Sequence, residues 1–175
     1  MNGLILAAVM MSIPDGSLLF VENGNEIVMA ETESTLSHVA IIINEKGKPY
    51  VYEANPPRAR RILLSDYIKS IKQENKRYHK DIRLWVRPPI REFSPRAVLK
   101  MKKYLESQMG RRYGLLSYLI DMPTKRLHCG ELTTYALEYV GVHIHGSPHK
   151  QTPISISDSV NKFYGDFEEI TLSMH

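Results

Sequence analysis

Cys129 is the only cysteine in this chain of 175 residues, and it opens a predicted helix in the segment RLHCGEL (126–132). A lone thiol cannot form an internal disulfide or supply a multi-cysteine metal site. At a helix N-terminus, however, free backbone N–H groups and the helix dipole favour the thiolate, which is the nucleophilic form of cysteine. The position of Cys129 therefore predicts a nucleophile, provided that the chain supplies a base to take its proton.

A candidate base and a candidate partner for that base lie in a predicted β-hairpin. His38 belongs to the strand SHVAIII (37–43), which is the strongest strand signal in the chain, and Glu53 belongs to the return strand KPYVYEA (48–54). A cysteine nucleophile needs a base within hydrogen-bond reach and a group that orients this base. An imidazole held by a carboxylate would meet both needs.

The loop of this hairpin decides whether the two side chains meet. If residues 45–46 form a two-residue loop, His38 lies directly opposite Glu53, with Cβ atoms about 4.5–5.5 Å apart on one face of the sheet. If Gly47 joins the loop as a bulge, the partner of His38 becomes Ala54. The sequence favours the first register and leaves the second open.

Each of these residues, taken alone, has a simpler structural interpretation. A single cysteine is more often a small core residue than a nucleophile. A histidine in a strand is usually a structural hydrogen-bonding group, and a glutamate on a hairpin usually faces solvent. Only their combination points to an enzyme, with a non-catalytic domain as the alternative, and the sequence does not by itself place the Cys129 helix against the hairpin.

The order of the predicted elements indicates an α+β fold: a small antiparallel sheet with helices on one side, in a single domain over residues 1–175. Ser65 and Ser94 are predicted helix caps, and Gly110 and Gly141 are helix stops. The predicted strands are 17–21, 37–43, 48–54, 82–87 and 167–172, and the predicted helices are 65–74, 95–109, 115–120 and 129–140. The polar stretch 22–35 is predicted as a loop or a short helix.

The composition is that of a soluble globular protein, with 43% hydrophobic and 24% charged residues and a net charge of +4. The charge is uneven, because residues 58–87 hold ten Lys or Arg residues and three acids. This region is either a solvated surface or a face that attracts an anionic polymer, lipid head groups or an acidic substrate. No aromatic residues interleave with the charges as in a nucleic-acid-binding surface, so no nucleic-acid partner is expected.

The N-terminal segment LILAAVMM (4–11) resembles the apolar core of a signal peptide, but it lacks a basic flank and a clear cleavage site. It is also too short to span a bilayer. We expect a short helix that packs on the core. This segment favours an exported protein of the cell envelope over a cytoplasmic one.

Four segments of the chain resemble the permuted NlpC-type papain-like cysteine hydrolases of the YiiX/YaeF kind. They are DGSLLF (15–20), SHVAI (37–41), YVYEA (50–54) and CGEL (129–132), and GRRY (110–113) is a weaker fifth match to the family's Gly-x-x-Tyr. The order His, acid, Cys is typical of the permuted members, since ordinary papain-like chains place the cysteine first. The resemblance implies a circularly permuted papain-like fold with a small, barrel-like antiparallel sheet packed against helices.

The resemblance also implies a role for each matching residue. Cys129 matches the nucleophile, His38 the general base and Glu53 the residue that orients the histidine. Tyr113 matches a tyrosine near the site and is expected to bind substrate or stabilise the oxyanion, unless it is only a packed aromatic. His128 is not expected to be the base, because neighbouring residues on a helix do not face each other.

The chain departs from the family pattern at two places. The family often has Tyr-Cys-Ser-Glu where this chain has HCGE (128–131), and it often has Asp after the tyrosine, where this chain has Gly114. These differences bear on the oxyanion hole and on the choice of substrate, and the three core residues are unaffected by them.

The expected reaction is acyl transfer through a thioester, with a thiolate–imidazolium pair and backbone N–H groups that stabilise the oxyanion. It requires no metal or organic cofactor. The resemblance favours an amide substrate, such as a peptide or a cell-wall peptide fragment. The alternatives are a lipid acyl hydrolase or acyltransferase of the lecithin retinol acyltransferase-like type, and a binding module that retains the fold without activity.

A zinc site is a third possibility, formed by His143, His145 and His149 with His128 and Cys129. The spacing of these residues matches no standard zinc motif, and nearby glycines and Pro148 mark a loop. We therefore predict no metal site.

Overall fold

The computed structural model describes residues 13–172 of the chain. The helix expected over residues 4–11 lies outside the described residues. The strands are β1 (Ser17–Glu22), β2 (Leu36–Glu45), β3 (Lys48–Asn55), β4 (Arg58–Leu63), β5 (Arg83–Arg87) and β6 (Glu168–Ile170). The α-helices are α1 (Glu26–Thr32), α2 (Leu64–Tyr78), α3 (Pro95–Gln108), α4 (Leu116–Ile120), α5 (Cys129–Glu138) and α6 (Pro153–Ser159), and a 3-10 turn covers Pro148–Lys150.

Within residues 13–172 the strands form one antiparallel sheet in the order β4-β3-β2-β1-β5-β6. The predicted α+β class is confirmed. The sheet is open, however, and does not close into a barrel. The loop at residues 110–113 covers the edge strand β4 instead. The N–H of Ala59 in β4 donates to the carbonyl of Arg111 at 2.8 Å, and the N–H of Gly110 donates to the carbonyl of Ala59 at 2.9 Å. A covered edge does not need a further strand to satisfy its hydrogen bonds.

Helices cover both faces of the sheet, so the expectation of helices on one side was wrong. The reason lies in β2, which is buried at every position from Val39 to Ile43. Val39, Ile41 and Ile43 pack in a core that includes residues of α3, α5 and α6, whereas Ala40 and Ile42 pack in a second core that includes residues of α2. A strand that is apolar on both faces requires cover on both sides.

The register of the β2–β3 hairpin differs from both predicted registers. Glu45 pairs with Lys48, so the loop consists of Lys46 and Gly47, which both have positive φ. The observed pairing runs to Ile41 opposite Tyr52. Lys46 and Gly47 supply the left-handed conformation that a tight two-residue hairpin loop needs. The hairpin is therefore shifted by two residues from the favoured register, and a shift of two keeps every side chain on its predicted face.

The helices follow the predictions with local corrections. Ser94 caps α3, because its hydroxyl accepts a hydrogen bond from the N–H of Ala97 at 3.3 Å. Ser65 does not cap α2, since this helix begins one residue earlier and Leu63 precedes it without a side-chain cap. Strand β4 was not predicted. Among residues 13–172, no helix combines the length and the apolar character needed to cross a bilayer.

Candidate active site

Cys129 is the first residue of α5, and it is buried with 6% of its surface exposed. The preceding residue, His128, caps this helix with its side chain. The Nδ1 atom of His128 accepts a hydrogen bond from the N–H of Glu131 at 3.4 Å, and its Nε2 atom donates to the carbonyl of His149 at 2.9 Å. Both ring nitrogens of His128 are therefore engaged by the backbone.

This cap leaves two backbone donors at the start of α5. The first N–H groups of a helix have no partner within the helix. His128 accepts from Glu131 through its ring and from the N–H of Leu132, at 3.1 Å, through its carbonyl. Within residues 13–172, the N–H groups of Cys129 and Gly130 therefore have no protein partner and remain at the helix end, next to the thiol.

His38 and Glu53 form a buried pair on the sheet. The Nε2 atom of His38 donates to Oε2 of Glu53 at 2.7 Å. Glu53 is 0% exposed and His38 is 9% exposed. Since Glu53 holds Nε2, the Nδ1 atom of His38 remains available to the Cys129 thiol, with which the His38 ring interacts.

The thiol of Cys129 interacts with the imidazoles of both His38 and His128. Burial alone would raise the pKa of Cys129, but its interactions with the nearby rings of His128 and His38 and the charge of His38 lower the pKa to about 6. Burial alone would lower the pKa of His38, but Cys129 and Glu53 outweigh it and raise the pKa to about 10. At neutral pH the pair is therefore a thiolate beside an imidazolium.

Glu53 is ionised although it is fully buried. Burial favours the neutral acid, but the hydrogen bond and charge of His38, together with the charge of Arg60, lower the pKa of Glu53. The Nε atom of Arg60 donates to Oε1 of Glu53 at 2.7 Å. One carboxylate oxygen is thus bound by Arg60 and the other by His38.

Arg60 and His128 are the two residues at this site that sequence reasoning missed. Arg60 lies directly opposite Glu53 in the β3–β4 pairing. The segment RARRIL (58–63) alternates only over its first three residues, and its three arginines are equally typical of a solvated surface. His128 does not lie on the helix but precedes it as its cap, so the helical spacing used for the expectation does not apply to it.

Two clefts meet at this group of residues. A largely apolar cleft of about 190 Å3 reaches Cys129 and is lined by Ile27, Val28, Leu115, Leu119 and Pro153, among others. A more polar cleft of about 180 Å3 reaches His38 and includes Ser37, Asn25 and Asn55 in its lining. Cys129 lines the first cleft, His38 the second, and Tyr113 both.

Tyr113 lies where the two clefts adjoin. Its N–H donates to the carbonyl of Pro57 at 3.0 Å, and the residue forms an isolated bridge with Leu127, two residues before Cys129. Burial and the nearby charge of Cys129 raise the pKa of Tyr113 above its usual range, so the phenol keeps its proton. Tyr113 can therefore donate a hydrogen bond to a group bound at this junction.

Steric crowding requires a glycine at position 130, directly after the cysteine. A Cβ on Gly130 would lie 2.0 Å from the backbone carbonyl oxygen of Gln151. That contact is with backbone, which cannot rotate away as a side chain can. The close approach of Gln151 explains why this chain has glycine where the family often has serine.

The histidines considered for zinc do not come together. His143 and His145 are exposed, whereas His149 is buried with Nδ1 3.2 Å from Oε1 of Glu131. Throughout residues 13–172, no three His, Cys, Asp or Glu side chains are arranged in a way that could hold a metal ion.

A cysteine that opens a buried helix, set against an imidazole from an antiparallel sheet that comes earlier in the chain, defines a permuted papain-like arrangement. The model of one family matches residues 12–151 of the chain. The chain belongs to the permuted papain-like amidase family of YaeF and YiiX, peptidase family C92. The resemblance in the sequence is thereby confirmed, and with it an amide hydrolase at the level of the family.

The fold is also found in a solved structure, that of YiiX from Escherichia coli O157:H7. The two share 18% sequence identity with a TM-score of 0.60, over 75% of this chain and 69% of that chain. At this identity the likeness concerns the fold alone. That structure is described as a metalloprotein. No curated protein sequence matches this chain.

Proposed function

We propose that this protein is a cysteine amidase that cleaves an amide bond through a Cys129–His38–Glu53 triad and a thioester intermediate. The observation that carries the proposal is the buried His38–Glu53 pair beside Cys129, at the junction of two clefts. A buried ionised carboxylate, an imidazole and a thiol that contact one another in series are not needed to stabilise the fold. They are the parts that activate a thiol for attack on a carbonyl.

In the proposed reaction, the Cys129 thiolate attacks the carbonyl carbon of the amide. The negative charge that develops on the oxygen is stabilised by the N–H groups of Cys129 and Gly130, which lie at the start of α5. The protonated His38 donates its proton to the amide nitrogen as the C–N bond breaks, and the amine leaves. Glu53 keeps the imidazole oriented and favours its protonated form.

The second half of the reaction returns the enzyme to its initial state. His38, now neutral, takes a proton from a water molecule, and the resulting hydroxide adds to the thioester carbonyl. The C–S bond breaks, the acid product leaves, and the Cys129 thiolate is restored beside the imidazolium. No step of this mechanism needs a metal or an organic cofactor.

The two clefts suggest how a substrate lies across the triad. The acyl part of the substrate bonds to Cys129 and would occupy the apolar cleft. The amine part receives its proton from His38 and would occupy the polar cleft. We propose that Tyr113 contacts the substrate at the scissile bond. A peptide, including a cell-wall peptide, with an apolar residue on the acyl side fits this division.

The exposed rim of the apolar cleft favours a second candidate function, which is hydrolysis or transfer of a lipid acyl chain. Ile27 is 75% exposed and Leu119 is 69% exposed, and both line this cleft. Exposed apolar side chains at the mouth of a cleft are typical of sites that receive an apolar ligand. The apolar cleft would then hold an alkyl chain instead of a peptide side chain.

The basic region adds little to either candidate. Arg61, Lys80 and Arg83 are paired with Glu45, Glu74 and Glu169, respectively. Arg87 is buried, and its guanidinium donates to backbone carbonyls of residues 157, 164 and 165. Since three of these cations are paired and a fourth is buried, we do not extend the proposal to an anionic polymer or membrane surface.

The test is a covalent one. The wild-type protein and Cys129→Ala are incubated with apolar N-acyl peptides, cell-wall peptide fragments and lysophospholipids, and each protein is analysed by intact-mass spectrometry and product analysis. We expect an acyl adduct on the wild-type protein and turnover of an amide substrate, with both lost in Cys129→Ala. Turnover of the lysophospholipid alone would favour the second candidate. Turnover that survives in Cys129→Ala would reject the triad, and binding without turnover by the wild-type protein would favour a binding module.

The rim offers a test of the apolar cleft. Ile27→Glu and Leu119→Glu are expected to raise the KM for a substrate with a long apolar acyl group by about tenfold, because each places a charge in the cleft. Ile90→Glu is the control, since Ile90 is 60% exposed and lines neither cleft. Equal effects of all three variants would contradict the assignment of the acyl group to this cleft.

A further inference from the structure

Arg60 connects the surface of the protein to the buried pair of His38 and Glu53. Its side chain is 43% exposed, whereas that of Glu53 is 0% exposed. The Nε atom of Arg60 donates to Oε1 of Glu53 at 2.7 Å, while Nε2 of His38 donates to Oε2 at 2.7 Å. A line of polar contacts therefore runs from solvent through Arg60, Glu53 and His38 to Cys129.

The charges along this line balance only when Arg60 is included. At neutral pH, Glu53 and the Cys129 thiolate are anionic and His38 is cationic, so these three groups together carry one net negative charge. An unbalanced charge is costly in a buried site. The cationic guanidinium of Arg60 brings the sum to zero.

Other groups face the same residues but do not supply this charge. Tyr67 from α2 is buried near Glu53, and its pKa is raised by burial and by the charge of Glu53, so its phenol stays neutral. Tyr113 lies near Cys129 and is also neutral. His128 lies beside the thiol, but its Nδ1 atom accepts from the N–H of Glu131 and its Nε2 atom donates to the carbonyl of His149, so as the cap of α5 its ring is neutral. Arg60 is the cation that binds Glu53 from the side opposite His38.

We propose that Arg60 is a fourth member of the site, a positioning residue that fixes the rotamer of Glu53 and keeps its carboxylate ionised, so that His38 stays protonated beside the Cys129 thiolate. The inference rests on the proposed function, because it assumes that the thiolate–imidazolium pair is the reactive state. Arg60 touches neither the thiol nor a bound substrate in this role and acts only through Glu53.

The chain provides a matched control in the next residue. Arg61 is on the same strand, with its side chain 42% exposed, and it pairs with Glu45, whose side chain is 15% exposed, at 3.0 Å. Adjacent residues of a strand point to opposite faces, so Arg61 lies on the other face of β4 from Arg60. A variant of Arg61 removes an equal charge and a comparable ion pair without touching Glu53.

The experiment measures the thiolate of Cys129 directly and needs no substrate. The rate of alkylation by iodoacetamide is followed against pH for the wild-type protein, Arg60→Gln, Arg60→Lys and Arg61→Gln. Cys129 is the only cysteine in the chain, so the signal is unambiguous. Gln can still donate a hydrogen bond to Glu53 but has no charge, and Lys keeps the charge without the guanidinium fork. Circular dichroism of each variant shows that the native fold is retained under the labelling conditions.

We expect Arg60→Gln to move the labelling midpoint upward by about one pH unit, because the thiolate loses part of its balancing charge. Arg60→Lys should stay close to the wild-type midpoint, and Arg61→Gln should match the wild-type protein. The proposal is overturned if Arg60→Gln leaves the midpoint unchanged or if Arg61→Gln moves it as far. Equal shifts for Arg60→Gln and Arg60→Lys would also reject it, since charge would then not be the cause.

Two further outcomes separate this proposal from the proposed function. If wild-type Cys129 labels with the midpoint of a free thiol, about 8.5, the activated nucleophile itself fails, whatever the variants do. If Arg60→Gln does not fold, Arg60→Met takes its place in the labelling experiment, since it also removes the charge. An upward shift of its midpoint relative to Arg60→Lys supports the positioning role, and an unchanged midpoint overturns it.

Discussion

Arg60 and His38 bind the two oxygens of a single buried carboxylate, and the separation is 2.7 Å in each case. With both oxygens occupied, Glu53 has little freedom to rotate. The imidazole that it holds through Nε2 is therefore fixed in the ring orientation that leaves Nδ1 for the thiol. The orientation of the base is thus determined by a residue on the neighbouring edge strand as well as by the carboxylate.

The pH dependence of the reaction follows from the thiolate–imidazolium pair. Below about 6 the thiol of Cys129 is protonated and loses its nucleophilicity, and above about 10 His38 loses the proton that the leaving amine requires. We expect kcat/KM to rise through the first value, to remain level and to fall through the second. A profile measured from pH 4 to 11 checks both limbs. A plateau that begins only above pH 8 would contradict the lowered pKa of the thiol.

Removal of the charge of Glu53 should weaken the base without removing it. In Glu53→Gln the side chain keeps its shape, but the imidazolium of His38 loses its anionic partner. We expect kcat to fall by about 10²-fold, because the imidazole is both less well oriented and less basic. The alkaline limb of the pH profile should move to lower pH, since the pKa of His38 decreases.

The control for this variant is Glu45→Gln. Glu45 lies on β2 and pairs with Arg61 and Lys102, away from the thiol. It should leave kcat and both limbs of the pH profile unchanged. An alkaline limb that stays in place in Glu53→Gln would show that this carboxylate does not act on the base.

Comparison of the two imidazoles beside the thiol tests which of them is the base. His38→Ala is expected to lower kcat by about 10²–10⁴-fold, the usual contribution of a general acid–base group. His128→Asn should cost less than about tenfold, because Asn is also an effective N-cap and can accept from the N–H of Glu131. Steady-state kinetics and thermal unfolding of both variants provide the measurement. A larger loss of kcat in His128→Asn than in His38→Ala would reverse the assignment.

The close packing of Gly130 against Gln151 predicts a large loss of stability on substitution. In Gly130→Ala the new Cβ would overlap the carbonyl oxygen of Gln151, so the backbone of one segment has to move. We expect the free energy of unfolding to fall by about 1–3 kcal/mol, as for other overpacked sites. Urea unfolding measures this difference.

Gly165→Ala serves as the control for that loss. A Cβ at Gly165 would come no closer than 3.6 Å to another atom, which is ordinary contact. Its free energy of unfolding should change by less than about 0.5 kcal/mol. If Gly130→Ala were as stable as Gly165→Ala, the close approach of Gln151 would not limit the residue at position 130.

The parts of the fold that the sequence predicted are those with strong local signals. The β-branched run of β2, the Ser94-Pro95 helix start and the glycine at the end of α3 each depend on neighbours a few residues away. The face shared by His38 and Glu53 was also predictable, because it depends only on the parity of positions in a hairpin. The predicted register of the β2–β3 hairpin was wrong by two residues, since Glu45, Lys46 and Gly47 are all compatible with a turn.

The predictions that were wrong or missing concern features that depend on contacts between residues distant in sequence. Strand β4 forms from an arginine-rich segment because β3 and the loop at residues 110–113 bind its two edges. A helix on the second face of the sheet was not expected, although the uninterrupted apolar run of β2 requires it. His128 was misjudged for a similar reason, because its role as a cap depends on the backbone of His149.

By itself, the amino-acid sequence determined the types of group available for chemistry: one thiol at a helix start, one imidazole and one carboxylate on a common face, in an order typical of the permuted family. Such properties follow from local conformation and chain order. Only the tertiary structure decided that α5 lies against the sheet at His38, that two clefts meet at Tyr113 and that Arg60 binds Glu53. Packing brings together residues that no local pattern connects, and the lowered pKa of Cys129 exists only where those charges meet in a site with little water.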